Sequence, residues 1–291
     1  MTDLAGVRRA FGDRLAAECG VSSPRVIAAF SAVPREEFLG PGPWLTLADE
    51  SGYRSTPDAD PRRLYADVAV AIDAARVLNN GAPGFLARLF DALALREGER
   101  VAHIGCAVGY YSAILAEIVG PRGRVLAVEL DPELCQRARH NLRRWRQVEV
   151  RHGDGTQEPR EPVDVVFVHG GVTHPQPPWL GAVGEGGRVA MPITAIRPPS
   201  RIRRVVRDHA GRILRLVRRA EGWDARLGET CGMQALLGGR DAALQERLRQ
   251  AYEAGGYQEV RSLRADAHVA DASCWVHQDG ACLSRRRVGA A

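Results

Sequence analysis

Residues 100–119 constrain this chain most. Arg100-Val101-Ala102-His103-Ile104 is a short strand, Gly105-Cys106-Ala107-Val108-Gly109 a turn of small residues, and Tyr110 to Val119 a helix stopped by Gly120-Pro121. A strand that enters a helix through such a turn lets a ligand approach the free N–H groups at the helix N-terminus. The pattern continues downstream. Arg124 to Glu129 is a second strand ending in an acid, and Asp131-Pro132-Glu133 caps a helix running to about Trp145. Val148 to Arg151, Val163 to Val168 and Gly186 to Pro192 supply three more strands. Strands alternating with helices at this spacing predict an α/β chain with a doubly wound, Rossmann-like parallel sheet.

The flanks differ. Residues 1 to about 38 have helical periodicity, with Ser23 as cap and Pro24 in the first turn of a second helix. Residues 40–63, rich in Gly, Pro, Ser and Asp, read as a long loop. Residues 64–80 have no clear period, Asn79-Asn80-Gly81-Ala82-Pro83 is a turn, and 84–95 is an amphipathic helix. Beyond 195, Arg201–Arg207 and Arg212–Arg218 read as a hairpin joined by Asp208-His209-Ala210-Gly211. Asp241 to Ala254 is a charged helix, and the segment through Cys274-Trp275-Val276 is a strand. The expected organisation is a helical N-terminal segment with a substrate-side loop (1–83), a nucleotide-binding core (84–194) and a C-terminal α+β extension (195–291).

Composition narrows the function classes. All 40 basic residues are arginine, which excludes lysine Schiff-base chemistry and a phosphate-loop lysine. The net charge of +5 is small and spread along the chain, and no aromatic residues interleave with the arginines of 201–219, which argues against a nucleic-acid partner. The six cysteines are scattered without a C-x-x-C pair, so no metal site is expected and reduced thiols of a cytoplasmic protein are. No apolar run approaches a membrane span, and Met1-Thr2-Asp3-Leu4 does not open a signal peptide.

Two cofactors suit the turn. A dinucleotide fingerprint wants glycines at 105, 107 and 110, where positions 107 and 110 are Ala107 and Tyr110. S-adenosylmethionine has no pyrophosphate and tolerates Gly-x-Ala-x-Gly. Glu129, 24 residues after Gly105, then sits where a carboxylate meets ribose hydroxyls, and Asp154 after the third strand suits the adenine amino group. These residues favour S-adenosylmethionine; a tight turn that binds nothing is the bland alternative.

Several segments together resemble the protein-L-isoaspartate O-methyltransferases, which are class I S-adenosylmethionine-dependent methyltransferases. They are Val33-Pro34-Arg35-Glu36-Glu37-Phe38 with Tyr65-Ala66-Asp67, the run His103 to Tyr110, Gly123 to Leu134, and Arg151-His152-Gly153-Asp154-Gly155. The resemblance covers roughly residues 24–194. It implies methyl transfer to a side-chain carboxylate of a protein or peptide, with His103, Gly105, Ala107, Gly109, Tyr110, Glu129, Leu130, Asp154 and Gly155 around the cofactor. The chain also departs from the family. The serine of its Ser-x-Pro motif is replaced by Gly81 ahead of Pro83, and its Leu-Pro-Ile-Gly segment by Val70-Ala71-Ile72-Asp73. His169-Gly170-Gly171 follows the fourth core strand where the family has small residues.

Those departures leave the acceptor open. Asn80 can donate hydrogen bonds in place of the missing serine, Asp73 can orient a cationic substrate or act as base, and His169 can act as base toward an amine or hydroxyl. The bland counterparts are a turn asparagine, a solvated acid and a loop histidine. Of Tyr110 and Tyr111, one should face the core and the other the site. A small-molecule acceptor, a tRNA acceptor and a non-catalytic binding protein stand as alternatives to the peptide acceptor. Oligomeric state is not readable from the residues.

Overall fold

A computed structural model of the chain describes residues 3–49, 52–196 and 209–289. By their contacts, these fall into two compact units. The first comprises the described residues up to Val101 together with Cys106–Gly153. The second comprises Ala102–Gly105 and the described residues from Asp154 onward.

In the first unit, Asp3 and Ser23 cap α1 (Leu4–Cys19) and α2 (Pro24–Ala32) by accepting from the amides of Gly6 and Val26. Each satisfies a helix-end donor that would otherwise lack a partner. A short α3 (Glu36–Leu39) follows. The segment read as a loop, 40–63, supplies two strands instead, β1 (Leu45–Asp49) and β2 (Gly52–Ser55), which join β3 (Ala69–Asp73) and β4 (Leu78–Asn79) from the stretch without a clear period in a small sheet of order β2-β1-β3-β4. It covers a local core of Leu39, Trp44, Leu64 and Val70. Helix α4 (Pro83–Ala92) takes a remote N-terminal partner, for Asp67 Oδ1 accepts from Gly84 N at 2.7 Å. A Cβ on Gly84 would stand 2.5 Å from both Asp67 and Cys19, so this position needs glycine.

The nucleotide-binding pattern then unfolds as expected: β5 (Arg100–Ile104), α5 (Tyr110–Val119), β6 (Arg124–Glu129), α6 (Pro132–Asn141) and β7 (Val148–His152). Strands β6 and β7 pair in parallel, from Val125 opposite Val148 to Glu129 opposite His152. Helix α5 is buried along nearly its whole length, which its apolar sequence requires. Phe30, Phe90 and Tyr111 form an aromatic cluster in this unit with ring centroids 6.1–6.5 Å apart.

The second unit carries β8 (Val163–Val168), α7 (Pro177–Gly181), β9 (Val183–Ile196), β10 (His209–Arg219), β11 (Gly222–Gly232), α8 (Ala242–Ala254), β12 (Ser262–Arg264), β13 (Cys274–Val276) and β14 (Cys282–Ser284). Its strands run β13-β14-β12-β11-β10-β9-β8. Strands β8 and β9 pair in parallel; the C-terminal strands join antiparallel. The expected hairpin is corrected here. Strand β10 pairs with β11 through a tight turn after Arg219 and with β9 on its other side, while the proposed first arm, 201–207, lies outside the described residues. Residues 234–239 run along the loop after β8: Gly171 N donates to Gln234 O at 2.6 Å, Leu236 N to Gly171 O at 2.9 Å, and Thr173 N to Gly239 O at 3.1 Å. Among the described residues no helix is long and apolar enough to cross a membrane.

Candidate active site

In the first unit the small-residue turn is held from two sides. Gly109 has φ +90° and Ala107 φ +49°, the left-handed region that a residue with a Cβ enters only at a cost of about 1–2 kcal/mol. Such strain collects at functional turns. Two contacts fix this one. Glu129 Oε2 accepts from Ala107 N at 2.8 Å, and Asn141 Nδ2 donates to Val108 O at 2.9 Å. Glu129 Oε1 accepts from Asp131 N at 3.0 Å. The carboxylate at the end of β6 therefore ties the turn to the next helix start, and each oxygen keeps a lone pair for a hydroxyl. Beside it Leu130 is 40% exposed, which is high for a leucine, and His152 Nε2 lies 2.9 Å from Leu130 O.

The tyrosine expectation is corrected. Tyr110 and Tyr111 are both buried, at 1% and 3% exposure. Tyr110 packs edge-on against Phe38 at 5.5 Å, and the Tyr111 hydroxyl donates to Gly81 O at 3.3 Å. Because every residue of α5 except Glu117 is buried, neither ring is left facing a ligand, and only the Tyr110 backbone stands at the turn.

Asn80, 4% exposed, is bound into the same unit through a residue that sequence reasoning left unassigned, Arg35. Asn80 Oδ1 accepts from Arg35 at 3.0 Å and from Val70 N at 3.0 Å, while its Nδ2 is buried with no protein acceptor. The fully buried Arg35 guanidinium also donates to Leu64 O at 2.6 Å, Val68 O at 2.7 Å, Ala66 O at 3.1 Å and Gly81 O at 3.5 Å. Arg35 thus ties residues 64–68 to residues 80–81. The only signal in the sequence was its place in the Val33–Phe38 segment.

Asp73 ends β3. Its Oδ1 accepts from Arg76 N at 3.1 Å, and the Arg76 guanidinium lies 2.6 Å from Asp131 Oδ2 at the start of α6. Val77 completes this turn with φ +56°, an outlier for a β-branched residue.

In the second unit, His103 is fully buried on β5. Its ring stacks on Phe167 at 4.9 Å and on His169 at 5.7 Å. Burial holds the His103 imidazole well below the usual histidine range and pushes His169 down to about 4, so both are neutral near pH 7. Asp154 Oδ1 accepts from Thr156 N and Oγ1, at 2.9 and 2.8 Å, and its Oδ2 has no protein partner among the described residues. Gly155 O accepts from the indole of Trp179, a fully buried residue missed by sequence reasoning. Gly105 has φ +80°, and a Cβ there would meet His169 O and Leu236 Cδ1 at 3.6 Å. Gly238 packs beside Thr156 and Asp154. Residues 236–238 of the C-terminal region therefore lie against two expected site positions of this unit, Gly105 and Asp154. No local pattern marks that contact.

A glycine turn fastened to an acid at the end of the next strand, with an exposed apolar residue after that acid, fits an adenosine group. The fold and these residues define a class I S-adenosylmethionine-dependent methyltransferase. The family model of protein-L-isoaspartate(D-aspartate) O-methyltransferase matches residues 9–218, and the chain belongs to that family. It is 35% identical over 195 residues to protein-L-isoaspartate O-methyltransferase 1 of Archaeoglobus fulgidus, covering 66% of this chain and 81% of that one. It is 34% identical over 175 residues to the Methanothrix thermoacetophila protein-L-isoaspartate O-methyltransferase, covering 59% and 74%. A solved protein-L-isoaspartate O-methyltransferase superposes with a TM-score of 0.63 at 23% identity, over 90% of this chain and 73% of the other. A Plasmodium falciparum beta-aspartate methyltransferase in complex with S-adenosyl-L-homocysteine gives 0.57 at 14% identity, over 79% and 97%.

Proposed function

We propose that the chain transfers the methyl group of S-adenosylmethionine to the free carboxylate of an altered aspartyl residue in a protein or peptide, the α-carboxylate of an isoaspartyl residue or the side-chain carboxylate of a D-aspartyl residue. The observation that carries this reading is the strained turn at Ala107, locked by Glu129, within a chain of this family. By the resemblance, Glu129 takes the ribose hydroxyls, Leu130 beside it belongs to the cofactor set, and Asp154 suits the adenine amino group. The backbone of Gly105, Ala107, Gly109, Tyr110 and Gly155 shapes the cradle. By the same resemblance His103 belongs to the cofactor set, and its ring is fully buried.

The bound cofactor supplies an electrophilic methyl group on a sulfonium. A carboxylate is ionised near pH 7, so the acceptor needs no base, and the chain's task is alignment and exclusion of water. The neutral, weakly basic His169 suits that demand, because it offers a polar wall without competing for a proton. Asn80 stands next to Gly81, in the place of the family's serine motif, and its buried Nδ2 is the donor available to hold the carboxylate. Asp73 takes the role of fixing the β3–β4 turn through Arg76 rather than that of a base. Six free cysteines fit a cytoplasmic enzyme.

The test is incubation with methyl-labelled cofactor and either an isoaspartyl peptide or its aspartyl counterpart, followed by mild base. Label on the isoaspartyl peptide that leaves as volatile methanol supports the proposal. Base-stable label, or equal labelling of an acceptor without a free carboxylate, overturns it.

A further inference from the structure

Beyond residue 218, where the family match ends, four side chains of the C-terminal region converge. They are His268, Cys274, His277 and Cys282, and one ligand atom from each lies within 4.8 Å of the others. Their spacing is H-x5-C-x2-H-x4-C. Scanning for cysteine pairs passes over this pattern, because each cysteine is followed or preceded by a histidine instead. The fold closes the distance: β13 carries Cys274, β14 carries Cys282, and the two strands pair with Cys274 opposite Ser284.

The orientations are specific. Cys274 Sγ lies 3.5 Å from His268 Nε2 and 3.8 Å from His277 Nδ1. The outer nitrogen of each ring meets an aspartate. His268 Nδ1 is 3.0 Å from Asp266 O and 3.4 Å from its carboxylate, and His277 Nε2 is 3.6 Å from Asp279 Oδ1. An imidazole whose outer nitrogen is held by a carbonyl or carboxylate is the usual form of a metal-bound histidine. Asp271 N donates to Cys274 Sγ at 3.5 Å, a contact that favours the thiolate. Both cysteines are free thiols.

We propose that His268 Nε2, Cys274 Sγ, His277 Nδ1 and Cys282 Sγ bind one Zn²⁺ ion tetrahedrally. Two thiolates and two imidazoles are a zinc donor set rather than a calcium or magnesium one. Bonds of about 2.3 Å to sulfur and about 2.0–2.1 Å to nitrogen place tetrahedral ligand atoms roughly 3.3–3.8 Å apart. The two separations at Cys274 already lie there, and the widest, at most 4.8 Å, closes by about 1 Å. Binding displaces one proton from each thiol to solvent, and nothing is oxidised. With four protein ligands no position stays open for a substrate, so the ion is structural. It clamps β13, an edge strand of three residues, and the loop before it, in which Val269 is 89% exposed.

The experiment uses the full chain purified after growth with zinc, its metal measured by mass spectrometry, together with cobalt titration of the chelator-treated protein. The expected result is one zinc per chain and tetrahedral cobalt–thiolate bands. Both are lost in the double variant Cys274→Ser/Cys282→Ser and kept in Cys19→Ser. Hydrogen exchange on the wild-type chain, with and without chelator, guards against a variant that fails to fold. Loss of protection confined to residues 262–284 supports the clamp. Zinc that persists in the double variant, a chain that takes up neither zinc nor cobalt, or a native Cys274–Cys282 disulfide overturns it.

Discussion

Replacing Arg35 by methionine removes a buried group that ties residues 64–68 to residues 80–81. The methionine fills much of the aliphatic volume but offers no donor. Four of the guanidinium's hydrogen bonds are 3.1 Å or shorter, to Leu64 O, Ala66 O, Val68 O and Asn80 Oδ1. At a net worth of about 1 kcal/mol each, their loss amounts to about 4 kcal/mol. Releasing a buried charge to water returns part of this, so the expected destabilisation is about 2–4 kcal/mol, a large share of a typical domain's stability. Arg35→Lys keeps the charge but cannot reach several carbonyls at once, and recovers less than half. Hydrogen exchange is the assay, because the effect is local before it is global. The amides of Val70 and Asn80, bonded to Asn80 Oδ1 and Val70 O, lose protection first, while those of β6 keep theirs. Methyl transfer falls more steeply than cofactor affinity, since the loop that moves carries Asn80 and not Glu129. A methionine variant within about 0.5 kcal/mol of the wild type, with these two amides still protected, refutes the reasoning.

The cofactor turn gives a matched pair. Gly109→Ala puts a Cβ at φ +90° and 2.6 Å from Leu142 Cδ1, and should cost at least about 1–2 kcal/mol in urea unfolding, whereas Ala107→Gly relieves strain and should leave stability unchanged or higher. Glu129→Ala removes the acceptor of two backbone amides as well as the proposed ribose contact. It should weaken S-adenosylhomocysteine binding by about 30-fold or more in calorimetry, with Glu129→Gln losing less; unchanged affinity in both would remove Glu129 from the site. Stability should also fall on acidification. His169 titrates near 6.5 when unfolded but is pushed down to about 4 when folded, so as pH drops through 6.5 the unfolded chain takes up the proton first. The loss develops between pH 6.5 and 4 and is at most about 3 kcal/mol, because part of the His169 surface meets solvent. His169→Asn should flatten that part of the melting-temperature profile, and an unaltered slope would show that the histidine does not titrate as described.

The nucleotide-binding half was legible because its signals are local. Periodic apolar residues, the Asp131-Pro132 cap and the Gly105–Gly109 turn each act within a few residues, and β5 to β9 fall where they indicate. The β1–β4 sheet escaped because its strands are short, set among Gly and Pro, and assembled by Arg35, which reaches 29 to 46 residues along the chain. The tyrosine assignment failed for a similar reason. A helix start suggests one face toward a ligand, yet both tyrosines are buried, and only the packing of Phe30, Phe38 and Phe90 around them reveals that. The contact of residues 236–238 with Gly105, Gly170 and Asp154 likewise has no local signature, since it joins the C-terminal region to loops far upstream.

The account's central claim is transfer to a carboxylate. The measurement that tests it most directly is a mass-spectrometric time course of one isoaspartyl peptide with the enzyme and S-adenosylmethionine. The account predicts a peptide that gains one methyl group and then loses methanol to form a succinimide, with the aspartyl isomer unchanged. A methylated product that persists without forming the succinimide, or an isoaspartyl peptide that is never methylated by a chain shown to bind the cofactor, would contradict it.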